Sequence, residues 1–446
     1  MSAADTAAAP AAGAGTPLRR RVVLAWGLWD WGSSAFNAVI TSFVFGPYVV
    51  RGVVGDSQPG GLTANTWLGI SGFVAGLLVA LIAPVTGQRS DAGGHRRRSL
   101  AIWTALVIAS MVGLFSVKDE PAYLWTALVL LAAGAIFQEF AGVSYNAMLP
   151  QISSPATVGR VSGFGWSMGY FGGIFLLLIC YVGFIAPDVG WFGVSSAGGL
   201  NIRAVAVFSA LWFAVFALPV LFAVPELPPG PKARRVSFLA SYRLLVADVR
   251  SLFRRDRNAV YFLLASALYR DGLAAIFTFG AILAVSVYGM AQSTVLIFGV
   301  AANVVAALGA LAMGAVEDRI GPKRVILISL VGLIISATVL LFASGTTMFW
   351  IFGLLLCLWV GPAQASSRSF LARIAPAGRE GEMFGLYATT GRAASFIAPG
   401  LFALFSALFS DRIGILGIAL VLIAGALALT RVRPPGGVRA TGRGDG

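Results

Sequence analysis

Histidine and cysteine are nearly absent from this chain, and charge is thin. There is one His and there are two Cys among 446 residues, and Asp, Glu, Lys and Arg together make up only 11%. Cys180 and Cys357 lie far apart, each inside an apolar run, so neither a disulfide framework nor a metal centre can be assembled from them. Small buried residues are their expected role. The single His95 sits in a basic loop. No nucleotide-binding glycine loop and no catalytic triad can be put together either, which argues against an ATP-driven pump and a membrane-embedded metalloenzyme. No cofactor is expected.

Acidic residues are the scarcer sign, 18 against 32 Lys and Arg. A formal charge of +14 raises nucleic acid as a partner. The basic residues, however, are scattered between apolar runs rather than gathered on one polar domain, so topology explains them better.

What the chain has in abundance is apolar length. It is 58% hydrophobic, with a mean hydropathy of +0.85. Runs of about 20 residues are long enough to cross a bilayer, and no water-soluble domain needs so much apolar surface. The pattern predicts twelve spanning helices at 22–50, 64–87, 99–117, 121–146, 158–185, 202–224, 259–288, 291–316, 325–344, 346–366, 382–408 and 412–430. Residues 1–21 form a basic arm expected to be disordered, as is the basic tail 431–446. The first run is too long for a secretory leader and is expected to remain as a span. Only Arg51, Lys118, Arg203 and Arg412 fall on the outer side of this arrangement. Arg270 and Arg392 lie inside spans, and every other Lys and Arg faces inward. That bias places both termini in the cytoplasm of a multi-pass protein of the cell (inner) membrane.

The segment 225–257 is the one sizeable polar interruption. It opens on Pro225-Glu-Leu-Pro-Pro-Gly-Pro231 and continues with Phe238, Tyr242, Leu245, Val249 and Leu252 at helical spacing, with Arg243, Arg250, Arg254 and Arg257 on another face. A basic amphipathic helix on the inner leaflet is expected, joining an N-terminal bundle (22–224) to a C-terminal one (258–430).

One loop occurs twice. Gly87-Gln-Arg-Ser-Asp91-Ala-Gly-Gly94-His-Arg96-Arg97-Arg98 is echoed by Gly314-Ala-Val-Glu-Asp318-Arg319-Ile-Gly321-Pro-Lys323-Arg324. In each, an Asp follows a Gly by four residues and a second Gly follows the Asp by three. The first Gly lets two helices approach, the second permits a turn closed to larger residues, and the Asp suits a neighbouring helix N-terminus or an Arg. This repeated loop resembles the signature of the major facilitator superfamily. The resemblance implies an all-α membrane protein of two parallel six-helix repeats, with Gly87, Asp91, Arg97, Gly314, Asp318 and Arg319 as a conformational latch.

Further strings narrow the resemblance. Trp26-Gly-Leu-Trp29-Asp30-Trp31-Gly-Ser-Ser-Ala35-Phe36, Gly163-Phe-Gly-Trp-Ser-Met-Gly-Tyr-Phe-Gly172-Gly173, Tyr269-Arg-Asp271-Gly272 and Glu382-Met-Phe-Gly385-Leu-Tyr387-Ala-Thr-Thr-Gly391-Arg392 together look like the autophagy-related vacuolar amino-acid effluxers and their bacterial relatives. That resemblance implies export of amino acids. Helix 4 lacks the Arg, and helix 5 the Gly-Pro pair, that mark the superfamily's proton-linked drug antiporters, which disfavours drug export.

Five charges fall inside predicted spans: Asp30, Glu139, Arg270, Asp271 and Arg392. A charge at the bilayer centre costs about 2.5 to 3.5 kcal/mol on insertion scales, so each is a functional candidate, against the plainer alternative of an internal ion pair. Arg392 lies roughly ten residues into its span, so ~15 Å deep at ~1.5 Å per residue, and is expected to grip a substrate carboxylate. Asp30 and Arg270 occupy matching places in the two repeats, and Asp30 or Asp271 is expected to face an ammonium group. Trp29, Trp31, Tyr269 and Tyr387 flank these positions, as do Trp166 and Tyr170, either as packing or as cation–π surface. Glu139 and Asp30 are the candidate proton carriers, although Glu139 equally suits pairing with a basic residue of another helix. Gly165, Gly169 and Gly173 read as close helix packing, and Pro399-Gly400 as a bend.

The partners expected are therefore a lipid bilayer, a small polar solute and protons, with neither nucleic acid nor an obligate protein partner. An amino-acid transporter is the first reading. A transporter of another small organic solute (sugar, organic ion or drug) and a transporter-like sensor that binds without translocating are its competitors.

Overall fold

The computed structural model describes residues 20–55, 57–226, 250, 254 and 256–435. Residues 1–19 of the expected disordered arm, 436–446 of the tail and most of the predicted amphipathic linker helix lie outside the described residues, while Arg20 and Arg21 of the arm already form the first turn of a helix. Twelve helices among these are long and apolar enough to cross a membrane. They are α1 (Arg20–Val54), α2 (Ala64–Gly93), α3 (Arg96–Ser116), α4 (Pro121–Ile152), α5 (Val158–Ile185), α6 (Ala197–Ala223), α7 (Arg257–Ser286), α8 (Gln292–Ile320), α9 (Pro322–Phe342), α10 (Thr346–Ile374), α11 (Glu380–Leu408) and α12 (Asp411–Thr430). Large apolar side chains such as Phe73, Leu178, Leu211, Phe222, Ile335 and Leu427 remain exposed on the outside of the bundle. A hydrocarbon surround is the solvent that suits such a surface.

The helices run alternately between two ends. The end that carries both repeated loops is here called the loop end. Two broad packing faces join the halves there, α2 against α11 and α5 against α8. Glycine sets these approaches. A methyl on Gly87 would run into the Gly381 backbone of α11, and one on Gly314 would lie 2.8 Å from the Gly159 carbonyl of α5. The second glycine of each loop, Gly94 or Gly321, holds a positive φ, 66° and 86° respectively. A Cβ is strongly disfavoured at such angles, so the loop's spacing follows from its backbone.

Two helices depart from regularity. α1 passes from α-helix into a π-helical stretch at Ala35–Phe43. α11 breaks into Glu380–Ala394 and Ile397–Leu408. Pro399 explains that break, because it cannot donate to the Ser395 carbonyl and its ring crowds that group. The expected bend is therefore an interruption, with newly exposed helix ends inside the bundle. α10 also differs from expectation. It runs to Ile374, eight residues beyond the predicted 366, which carries Arg368 into the helix instead of onto the inner loop.

Candidate functional site

A cavity of about 1060 Å³ lies between the halves, lined by α1, α4, α5, α7, α8, α10 and α11, with smaller contributions from α9 and α12. On α1 its lining begins at Trp29 and continues to Phe43. On α7 it runs from Arg270 to Leu283, then to Tyr288 beyond the helix. The cavity thus extends towards the end opposite the repeated loops. Its charged residues are Asp30, Glu139, Arg270, Arg368 and Arg392.

Three clusters hold these charges. In the first, Arg368 of α10 reaches into the N-terminal half. Its Nε donates to Ser162 Oγ at 3.0 Å and its Nη2 to the Ser162 carbonyl at 2.6 Å. Its Nη1 donates to Asp30 Oδ2 at 3.2 Å and to Asn146 Oδ1 at 3.3 Å. The Tyr145 hydroxyl donates to the same Asp30 oxygen at 2.9 Å. Trp26 lies under the Arg368 guanidinium at 4.9 Å, and bare Gly165 leaves room for both. Such a buried cation is tolerable because its donors are satisfied.

In the second cluster Arg392 of α11 donates to Glu139 of α4 across the two halves. Of the two roles open for Glu139, the pairing with a basic residue of another helix is the one seen here, and the acid that Arg392 lacks on its own span comes from α4. In the third, the Arg270 guanidinium of α7 stacks over the Tyr387 ring at 3.7 Å and donates to the Tyr387 carbonyl at 3.1 Å. Asp30 and Arg270 both line the cavity, but Asp30 pairs with Arg368.

Three of the expected binding residues lie off the cavity, and a fourth, Trp29, is tied up at its edge. Asp271 is 5% exposed, and its Oδ2 accepts from Ala398 N at 2.6 Å. It caps the helix end created by the break in α11, because the freed N–H groups there attract an anion. Trp31 packs among Phe175, Trp212 and Phe216. Tyr269 is fully buried and shares a 2.6 Å hydrogen bond with Ser367. Trp29 touches the cavity, yet its indole donates to Thr104 at 3.0 Å and stacks on Tyr145. Tyr387, Trp166 and Tyr170 line the cavity.

Arg368, Tyr145 and Ser162 went unforeseen. A signal existed for Arg368: Phe370, Leu371 and Ile374 continue the apolar helical spacing past it, so a lone charge did not end the span.

At the loop end each repeated Asp caps a helix of the other half. Asp91 Oδ2 accepts from Glu382 N, at the start of α11, at 2.9 Å. Its Oδ1 accepts from Arg96 Nε and Nη2 at 2.9 and 2.7 Å. Asp318 Oδ1 accepts from Gly159 N, at the start of α5, at 2.9 Å, and its Oδ2 from Arg160 Nε at 2.9 Å. The arginines differ from those expected. Arg96, not Arg97, engages Asp91; Arg97 lies near Glu226, at 3.9 Å. Arg319 is exposed, and the cations on Asp318 are Arg160 and Arg373. At the first loop the turn brings the loop's own Arg96 onto the aspartate, whereas at the second the guanidinium groups come from α5 and α10.

Twelve spans, two cross-capped loops and a charged cavity between halves define a membrane transporter of the major facilitator superfamily. The proton:xylose symporter XylE of that superfamily, solved with 6-bromo-6-deoxy-D-glucose, matches at a TM-score of 0.72 and 15% identity, over 93% of this chain and 96% of its own. Within the superfamily the chain belongs to the "Vacuole effluxer Atg22 like" family, whose model matches residues 70–440. It is 27% identical over 381 residues to the uncharacterized MFS-type transporter YxiO of Bacillus subtilis (strain 168), covering 85% of this chain and 86% of that one. Autophagy-related protein 22 of Cryptococcus neoformans var. neoformans serotype D (strain B-3501A) is 25% identical over 301 residues, 62% of this chain. That match spans 53% of the fungal protein, so the chain covers about half of its length.

Proposed function

We propose that this protein is a secondary active transporter that exports a small polar solute, an amino acid, by alternating access, with its loop end in the cytoplasm. One observation carries the reading: a cavity between the halves holds fixed charges of both signs and extends away from the end that the two latches close. A zwitterion needs a cationic and an anionic contact, and Arg270, Arg392, Asp30 and Glu139 supply them. The basic bias of the loop end supports its inward orientation. The family's description as an effluxer supports export.

Alternating access follows from the same contacts. The latches hold the loop end shut, and opening it must part α2 from α11 and α5 from α8. Arg368 crosses the same divide, so its bond to Asp30 strains or breaks with them. Asp30 and Glu139 are the proton carriers in this scheme, since protonating either carboxyl weakens its pairing with an arginine of the other half.

Purified protein in liposomes, offered labelled amino acids with and without a pH gradient, tests the reading. Uptake or counterflow above protein-free vesicles is expected. Binding without translocation would favour a sensor, and transport of sugars alone would replace the substrate.

Sidedness has its own check. In a background lacking Cys180 and Cys357, Arg98→Cys should react with an impermeant thiol reagent only from the cytoplasmic side, and Ser57→Cys only from the outside. Reaction of both from one side contradicts the arrangement.

A further inference from the structure

We infer that Arg270 is the group that takes the solute's carboxylate, and that the cavity favours a solute carrying one net negative charge. This rests on the reading of the cavity as the solute site. Three arginines and two carboxylates line the cavity. Arg368 holds Asp30 and Arg392 holds Glu139. Arg270 is the remaining cation, and among the described residues it meets no acid within salt-bridge distance. With both acids ionised, the lining therefore keeps one positive charge in excess.

The surroundings of Arg270 are built to hold its plane rather than to neutralise it. Tyr387 and Gly391 lie four residues apart on α11 and so share one helix face. The Tyr387 ring covers the guanidinium at 3.7 Å, and its carbonyl accepts from Nη1. The Tyr387 hydroxyl is itself tied to Ser367 Oγ at 2.7 Å, which fixes the ring. Gly391 contributes only bare backbone: a methyl there would stand 3.0 Å from Nη1 and 3.4 Å from Cζ. A planar guanidinium held by a ring and a carbonyl, beside a helix with no side chain in the way, keeps donors for a carboxylate. Its orientation is settled before the solute arrives, which lowers the entropic cost of a two-point grip.

Charge balance sets the class. An ammonium group entering this cavity finds each acid already engaged by an arginine, whereas a carboxylate finds an arginine with none. A solute with one more carboxylate than amine, such as an acidic amino acid or a hydroxy acid, neutralises the lining. A neutral zwitterion leaves the excess in place, and a cationic amino acid increases it. Lys would keep the charge of Arg270 but not its stacking or its fork.

The test is binding to the purified full chain, read by thermal shift and by calorimetry, with L-glutamate, L-lactate, L-leucine and L-lysine as probes. Glutamate or lactate should bind best, leucine more weakly and lysine least. Arg270→Gln should lower affinity for the anionic probes roughly tenfold or more, and Arg270→Lys should restore part of it. Gly391→Ala, which leaves the charge in place, should weaken the same probes by displacing the guanidinium, with little change in the unliganded melting temperature. This variant decides the matter if Arg270→Gln fails to fold. Equal affinity for glutamate and lysine, wild-type affinity in a folded Arg270→Gln, or no response to any carboxylate overturns the inference. Transport of leucine that is indifferent to Arg270 would overturn it while leaving the transporter reading intact. Vesicles in which none of the four probes moves, although they bind, would instead count against that reading.

Discussion

The two repeated loops share a spacing but not an environment. At the first, Arg96 is 2% exposed and lies between two carboxylates, Asp91 at 2.7 Å and Glu380 at 2.5 Å. At the second, the cation on Asp318 at 2.9 Å is Arg160, which is 60% exposed. Asp318 is as buried as Asp91, 6% against 5% exposed, but Arg373 at 3.6 Å and the N–H groups of Gly159 and Arg160 also hold it. Its neighbour Glu317 is buried too, held by Ser369 at 2.5 Å and Arg373 at 3.3 Å. A repeated motif thus fixes the position of its aspartate without fixing how strongly that aspartate is held. The loss depends on what remains: removing buried Arg96 strands the carboxylates it holds, whereas water screens the exposed Arg160 and Asp318 keeps Arg373 and the Gly159 N–H.

The comparison is sharpest at the two arginines. Arg96→Gln should strand Asp91 and Glu380, lowering stability by about 3 to 5 kcal/mol and loosening the loop end. Melting of the purified protein reads the first effect. Reactivity of a cysteine placed where α2 meets α11 reads the second. Arg160→Gln, at the other end of the scale, should cost less than about 1 kcal/mol. Equal losses at the two sites would break the asymmetry.

Between these extremes stand the glycines. Gly87→Ala would place a methyl 2.5 Å from the Gly381 carbonyl carbon, whereas Gly314→Ala meets its nearest backbone atom at 2.8 Å. Both are backbone contacts and cannot turn aside. Each substitution should slow transport by hindering closure at the loop end, Gly87→Ala the more, by roughly tenfold. Initial uptake rates in liposomes, with protein amounts matched, check the ranking; a greater loss at Gly314 would reverse it.

A third aspartate sharpens the lesson with a smaller effect. Asp271 also caps a helix end, but within its own half. Its bond need not break during transport. Asp271→Ala should therefore lower stability by about 0.5 to 2 kcal/mol while leaving solute affinity near normal. Lost affinity in a well-folded protein would return Asp271 to the binding site.

The spans and the positions of the two repeated-loop aspartates were legible because their signals are local. Hydropathy sums over about twenty residues, and the glycine–aspartate–glycine spacing records a turn and a close approach. The twelve spans accordingly fall near the expected positions. α10 is the largest departure, since a buried Arg368 looks in sequence like a charge on an inner loop. The site was less legible. Arg392 and Glu139 were both singled out, yet 253 positions separate them in the chain, and nothing local joins them. Arg96 and Arg97 are neighbours, and only the turn after Gly94 decides which reaches Asp91.

By itself, then, the sequence determined a twelve-span, twice-repeated membrane protein with a few charges inside its spans, because partitioning into lipid depends on composition along one segment. Only the tertiary structure decided which charges neutralise one another. Arg368 went to Asp30, Arg392 to Glu139 and Asp271 to a helix end, while Arg270 was left on an aromatic ring facing the cavity. Pairing is a property of helices from opposite halves meeting at a depth and rotation that no single segment encodes.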